Sequence, residues 1–369
     1  MRGQIQIQFN WLFVMIVGGL IIFFFTNLIL SAQQDSQQKL IVKVSKDLET
    51  IATGAGVSKG TAQRLDKPDI DMVFDCAGCD CKYYMQQDKS DFNVYGSKNF
   101  RDLRIFAPRR VLGTEMIAWS LDWSVPFRVT NFLYISSPQT MYYIIDLTSM
   151  TSDLGEYINE TLPSSIVKSY HTTNELAART LVDNNYPSIK VFYITDSKTD
   201  CPDGGGAAAQ LDDAQQFSDW GIEQENIGAA CVYSVANDLS NGKVRFYKVG
   251  RDWDFDLDTS KLEFIGEEAI FASFFAFDYD NFACNMGEAF ERLALIGQIY
   301  RNRTRLLKDS TSQCETLYLR SIQTFDQLIP NATYISHNVN VSYGDYRDVV
   351  ANLSYYNRNL QIRSCPSIY

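Results

Sequence analysis

Histidine is almost missing: His171 and His337 are the only two in 369 residues. A metal cluster or proton relay built on several histidines is therefore excluded. Positive charge is also short. Lys and Arg number 33 against 44 Asp and Glu, for a net charge of −11 and a pI of about 4.8. An acidic body repels the phosphate backbone that nucleic-acid binding has to neutralise, so DNA and RNA are set aside as partners. No GxGxxG or GK[ST] loop occurs, and no internal repeat. No catalytic residue can be named from sequence.

What is present begins with one apolar run. Phe9 to Leu30 reads FNWLFVMIVGGLIIFFFTNLIL without a charge. About 20 residues at ~1.5 Å rise span the ~30 Å hydrocarbon core of a bilayer. A cleaved secretory signal has a shorter apolar region, of about 7–15 residues, and ends at a small-x-small site, which Leu30-Ser31-Ala32 matches poorly. The expectation is a retained single-pass anchor, with the lipid bilayer as its partner.

The residues ahead of the run, Met1-Arg2-Gly3-Gln4-Ile5-Gln6-Ile7-Gln8-Phe9, resemble the class III signal of archaeal type IV pilins. There a basic residue and Gly precede the cut and an apolar helix follows directly. The resemblance implies cleavage between Gly3 and Gln4 and a body outside the cell. The chain departs from the pattern at Gln8, where the family usually carries the Glu that docks one subunit on the next. The body is loosely similar to uncharacterised membrane-anchored archaeal proteins, which bring no activity with them.

Past the run, Ile41, Val44, Leu48 and Ile51 form an a/d stripe on a helix. Lys39, Lys43, Lys46, Asp47 and Glu49 occupy other positions, and Gly54 and Gly56 close the segment. The stripe suits either self-assembly through a stem or packing on the body.

Two signals disagree on sidedness. Arg2 on one flank of the anchor against Lys39, Lys43 and Lys46 on the other puts the body in the cytoplasm by lysine and arginine count. Eight cysteines, Cys76, Cys79, Cys81, Cys201, Cys231, Cys284, Cys314 and Cys365, suit disulfides in an oxidising compartment. Sequons stand at Asn159, Asn302, Asn331, Asn340 and Asn352. We take the body as extracytoplasmic. The cluster Cys76-Ala-Gly-Cys79-Asp-Cys81 reads as disulfide partners in a turn. Its alternative, a zinc knuckle, has no fourth ligand nearby.

The expected class is α/β, or α+β overall: residues 1–32 an N-terminal segment and anchor, 33–60 a helical stem and linker, 61–280 a mixed β and α/β domain, and 281–369 a helical region. RIFAP, MIAWSLDW, FRVTNFLYIS and MYYIIDL are strand-like. IVKSY, IKVFYITDS, IGAACVYSV and VRFYKVG are further strands, with helices expected in TTNELAARTLVDNN and GAAAQLDDAQQFSDW. That alternation suggests a parallel unit. MGEAFERLALIGQIYRNRTRLL, CETLYLRSIQTFDQL and YRDVVANLSYYNRNLQI read as the closing helices.

Four short motifs carry a chemical pattern. Asp203-Gly204-Gly205-Gly206 offers backbone N–H groups to an anion but lacks a phosphate-loop pattern. Gly56-Val57-Ser58-Lys59-Gly60 fits G-x-S-x-G, yet sits in a flexible stretch rather than a strand-to-helix elbow. Ser165-Ile166-Val167-Lys168 fits S-x-x-K without its companions. Asp252, Asp254, Asp256 and Glu263 hold positions 1, 3, 5 and 12 of a calcium loop, but Leu257 stands where the loop needs Gly. A strand with its Asp face in water is the preferred reading there, so no cofactor is expected. The functional expectation is a surface structural or interaction protein with possible self-assembly or protein partners. The alternatives are an anchored hydrolase or a ligand-binding module.

Overall fold

The computed structural model describes residues 4–55, 60, 62–67, 69–86, 94–100, 103–147, 154–172, 186–196, 201, 222–233, 241–249, 255–257, 262–310 and 312–369. Helix α1 runs unbroken over Gln4–Ala55. Its segment Trp11–Gln33 is long and apolar enough to cross a membrane, and none of it is buried. Further along, Val44 is buried among Met116, Ala118 and Leu133, so the carboxyl half of α1 packs on the body through this residue of the stripe.

Two small sheets follow. In the first, β2 (Asp71–Ala77) and β3 (Asp80–Gln86) form a hairpin, flanked by β4 (Val94–Asn99) and β6 (Arg110–Val111) in the order β4-β3-β2-β6. Its tight turn uses Gly78 at φ 56° and Cys79 at φ 64°, the left-handed pair that a two-residue hairpin turn of matching twist requires. In the second, β1 (Ala62–Asp66), β7 (Glu115–Ser124), β8 (Arg128–Ser136) and β5 (Arg104–Phe106) take the order β1-β7-β8-β5.

The third sheet is the centre of the body. Strands β9 (Thr140–Asp146), β10 (Lys168–Thr172), β11 (Ser188–Thr195), β12 (Ile227–Tyr233), β13 (Asn241–Val249) and β14 (Phe255–Leu257) lie in the order β10-β9-β11-β12-β13-β14, with β15 (Leu262–Ile265) also on β13. The first four are parallel and β13 is antiparallel to β12. Every residue of β9 and β11 is buried, as expected of strands covered on both faces. Alternate residues serve separate cores. Tyr142, Ile144, Phe192 and Ile194 face the main cluster, while Tyr143, Ile145, Val191 and Tyr193 face a second one. Between β9 and β10 lies the short helix α2 (Leu154–Thr161).

The main cluster is closed by helix α3 (Glu267–Phe275), whose residues Ala269 to Phe275 are all buried. Phe274 stacks on Tyr142 at 4.6 Å between ring centroids and meets Phe192 edge-on at 5.1 Å. Three helices complete the chain: α4 (Tyr279–Ser310), α5 (Glu315–His337) and α6 (Gly344–Ile362). A Cβ at Gly287 would lie 2.9 Å from the Ser336 carbonyl, so α5 approaches α4 more closely than an alanine allows. The core holds residues from Phe106 to Ile368 and runs across residue 280 without a break.

The class expected from sequence, mixed α and β with an N-terminal apolar helix and a helical end, is the observed one. Three details differ. Helix α3 was not anticipated. VRFYKVG belongs to an antiparallel strand, and α5 continues through Pro330 to His337. The expected helices TTNELAARTLVDNN and GAAAQLDDAQQFSDW lie outside the described residues.

Candidate functional site

All eight cysteines are paired. Cys76 bonds Cys81 across the β2–β3 register, and Cys79 at the turn reaches Cys284 on α4, 205 residues away. Cys201 bonds Cys231 on β12, and Cys314 ahead of α5 bonds Cys365. The cluster at 76–81 thus divides its bonds between its own hairpin and a distant helix.

The sheet order sets the place where chemistry is most easily gathered. The chain goes from β9 to one side for β10 and to the other for β11. The crevice outside the carboxyl ends of such a pair is where open parallel sheets receive ligands. Asp146 ends β9, and Asp196 follows β11 directly. Ile194 is the register partner of Asp146, so Asp196 sits two residues beyond, about 7 Å along the strand direction. Asp146 continues the alternation of Tyr142 and Ile144, which places it on the main-cluster face, and Asp196 stands in the bend just past the end of β11. Thr195, between them in register, is buried on the other side.

Asp146 is 6% exposed, and its Oδ2 accepts a hydrogen bond from the Tyr170 hydroxyl at 2.8 Å. Helix α2 begins beside it. A Cβ at Gly155 would lie 2.2 Å from Oδ2 of Asp146 and 3.0 Å from the Tyr170 hydroxyl. Only glycine lets the first turn of α2 come this close, and that turn carries the positive end of the helix dipole. Asp196 is half-buried. Two carboxylates at this end of the sheet supply hard oxygen donors to a cation or to a ligand rich in N–H groups. Among the described residues no three His, Cys, Asp or Glu gather as a metal site. The sequence carries a signal for the pair: MYYIID and VFYITD are apolar runs that each end on Asp.

The residues singled out from sequence go elsewhere. Asp252 and Asp254 lie outside the described residues, as do 203–206 and 56–59. Asp256 is in β14, paired to β13. Glu263 is buried and turned toward α6, where it accepts from Tyr343 N at 2.7 Å, Ser342 Oγ at 3.1 Å and Arg347 Nη2 at 2.6 Å. The Lys168 ammonium donates to the carbonyls of Asn159 and Leu162, the end of α2, and burial holds its pKa below the ordinary lysine value. That is a helix cap, and among the described residues Ser165 Oγ has no hydrogen-bond partner. His171 Nε2 shares a 2.8 Å hydrogen bond with Ser169 Oγ, two residues away on the same strand.

No family model matches the chain, and neither a curated protein nor a solved structure matches it.

Proposed function

We propose that this is a single-pass, membrane-anchored extracytoplasmic protein of pilin-like build, whose body acts as a structural or interaction module at the cell surface. The observation that carries the reading is the division of α1. One continuous helix exposes an uncharged apolar half and seats its other half on a β-sheet body through Val44. An apolar helix left fully exposed needs a lipid or protein environment. Four disulfides fit an oxidising compartment on the body's side, and the pilin-like leader supplies the same orientation. N-terminal mass analysis of protein from its native host tests the leader. A mature chain starting at Gln4 is expected, and an intact Met1 or Arg2 start would leave a plain anchor.

One observation favours a second reading, a ligand-binding module. Asp146 and Asp196 both stand at the carboxyl ends of adjacent parallel strands at the reversal point of the sheet, Asp196 two residues beyond the register partner of Asp146. A divalent cation, alone or bridging to a partner's carboxylate, suits their donor chemistry. Magnesium or calcium at millimolar concentration should then raise the melting temperature by mass action, and Asp196→Asn should abolish the rise. An equal response in the variant would place any cation elsewhere.

A further inference from the structure

A second polar place lies at the opposite, amino edge of the parallel strands, where β6 of the hairpin sheet meets the starts of β9, β11 and β12. A cavity of ≈ 40 Å³ opens there between Arg109, Arg110, Thr140, Lys190, Glu225 and Asn226. By volume it holds two or three water-sized groups. Three of its wall atoms lack hydrogen-bond partners among the described residues: Thr140 Oγ1, Arg110 Nε and Asn226 Oδ1. Thr140 is 0% exposed and Arg110 6%. An orphaned buried polar atom costs about 1–3 kcal/mol, and native structures keep few of them. Two of these, Arg110 Nε and Thr140 Oγ1, can donate and call for an acceptor, while Asn226 Oδ1 only accepts and calls for a donor such as water.

The charges say which kind. The Arg110 guanidinium already faces Glu225 through Nη1 at 3.0 Å and Asp71 through Nη2 at 2.7 Å. The Lys190 ammonium is buried, donates to the Ala276 carbonyl at 2.7 Å and lies 5.3 Å from the Phe246 ring centre. Arg109 is exposed at the mouth, and its guanidinium makes no hydrogen bond or ion pair among the described residues. One uncommitted planar cation at the rim, with N–H and O–H donors inside, fits a single planar anion. Glu225 on the wall disfavours a doubly charged one.

We propose that this cavity binds the carboxylate group of a small molecule, held by Arg109 and Thr140. The site is separate from the carboxyl edge and independent of the anchored-surface reading.

The test uses the full chain in detergent micelles at constant ionic strength, with chloride as the background anion. Acetate and propionate are titrated against the melting temperature and by calorimetry, with phosphate as a parallel arm. Arg109→Gln changes an exposed residue, and Thr140→Val keeps the shape while removing the hydroxyl. Saturable stabilisation by the carboxylates is expected, with each substitution weakening affinity by about tenfold, the scale of one lost charge-assisted hydrogen bond. No saturable carboxylate response, a response to phosphate alone, or a change under about threefold in either variant overturns the proposal.

Discussion

The carboxylate of Glu263 on β15 receives the guanidinium of Arg347 on α6 at 2.6 Å, and the backbone N–H of Tyr343 donates to the same oxygen at 2.7 Å. This contact, buried on the Glu263 side, fastens the last helix to the central sheet. Lys243 Nζ also lies 3.7 Å from Glu263, so Arg347→Met removes one of two cations from a buried carboxylate, with an expected loss of about 1–2 kcal/mol in urea unfolding. Adding Glu263→Gln to that variant should restore part of the loss. If the double variant is as unstable as the sum of the singles, the two residues are not coupled.

Val44 offers a test of where the stem stripe goes. It is 3% exposed against Met116, Ala118 and Leu133. Val44→Ala should destabilise the body by about 1–2 kcal/mol, from two lost methyl groups and the cavity they leave. No change in the unfolding midpoint would mean that the stem does not pack there.

How much of this was legible depends on what the pattern encodes. The apolar helix, the strands from RIFAP to MYYIIDL and the closing helices follow from length and periodicity. Helix α3 did not, because EEAIFASFF is buried nearly all round and such a run has no polar face to set its period. The direction of β13 was hidden because side-chain alternation is the same in parallel and antiparallel strands. Asp146 and Asp196 are ordinary strand-end residues until the sheet order brings the ends of β9 and β11 together. The stem stripe left two partners open, and of its residues Val44 packs on the body while the side chains of Ile41, Leu48 and Ile51 lie outside the description. Cysteine pairing was beyond reach in principle, since eight cysteines allow 105 connectivities.

The four disulfides should differ in what they contribute. In the chain-entropy account, the Cys79–Cys284 bond closes a span of 205 residues and is worth about 5 kcal/mol, whereas Cys76–Cys81 closes 5 residues and is worth about 2 kcal/mol. Replacing both cysteines of each pair by serine, one pair at a time, should lower the unfolding midpoint more for the long bond. The reverse order would contradict this ranking.

Alkaline pH reaches the contact between α2 and α3. The Tyr157 hydroxyl donates to Glu267, and burial, then the Glu267 carboxylate, raises the phenol pKa to about 12. The ordinary value is about 10. The folded state therefore holds a proton that the unfolded chain releases, so this contribution is complete below about pH 10 and is lost as pH rises toward about 12. Difference phenolate absorbance between the wild type and Tyr157→Phe should show a late-titrating tyrosine. A missing band that titrates near the ordinary value would refute the contact.

Sidedness is the central claim and can be measured on intact cells. Lys248 of β13 is exposed on the body, and Lys43 and Lys46 are exposed on the carboxyl half of α1. A membrane-impermeant amine reagent applied to unbroken cells, followed by mass mapping of the purified chain, reads all three. The account predicts that Lys43, Lys46 and Lys248 are modified in intact cells to the same extent as in broken ones. Protection of all three until the cells are lysed would place the body in the cytoplasm, where the lysine count alone would put it, and would contradict the anchored extracytoplasmic reading.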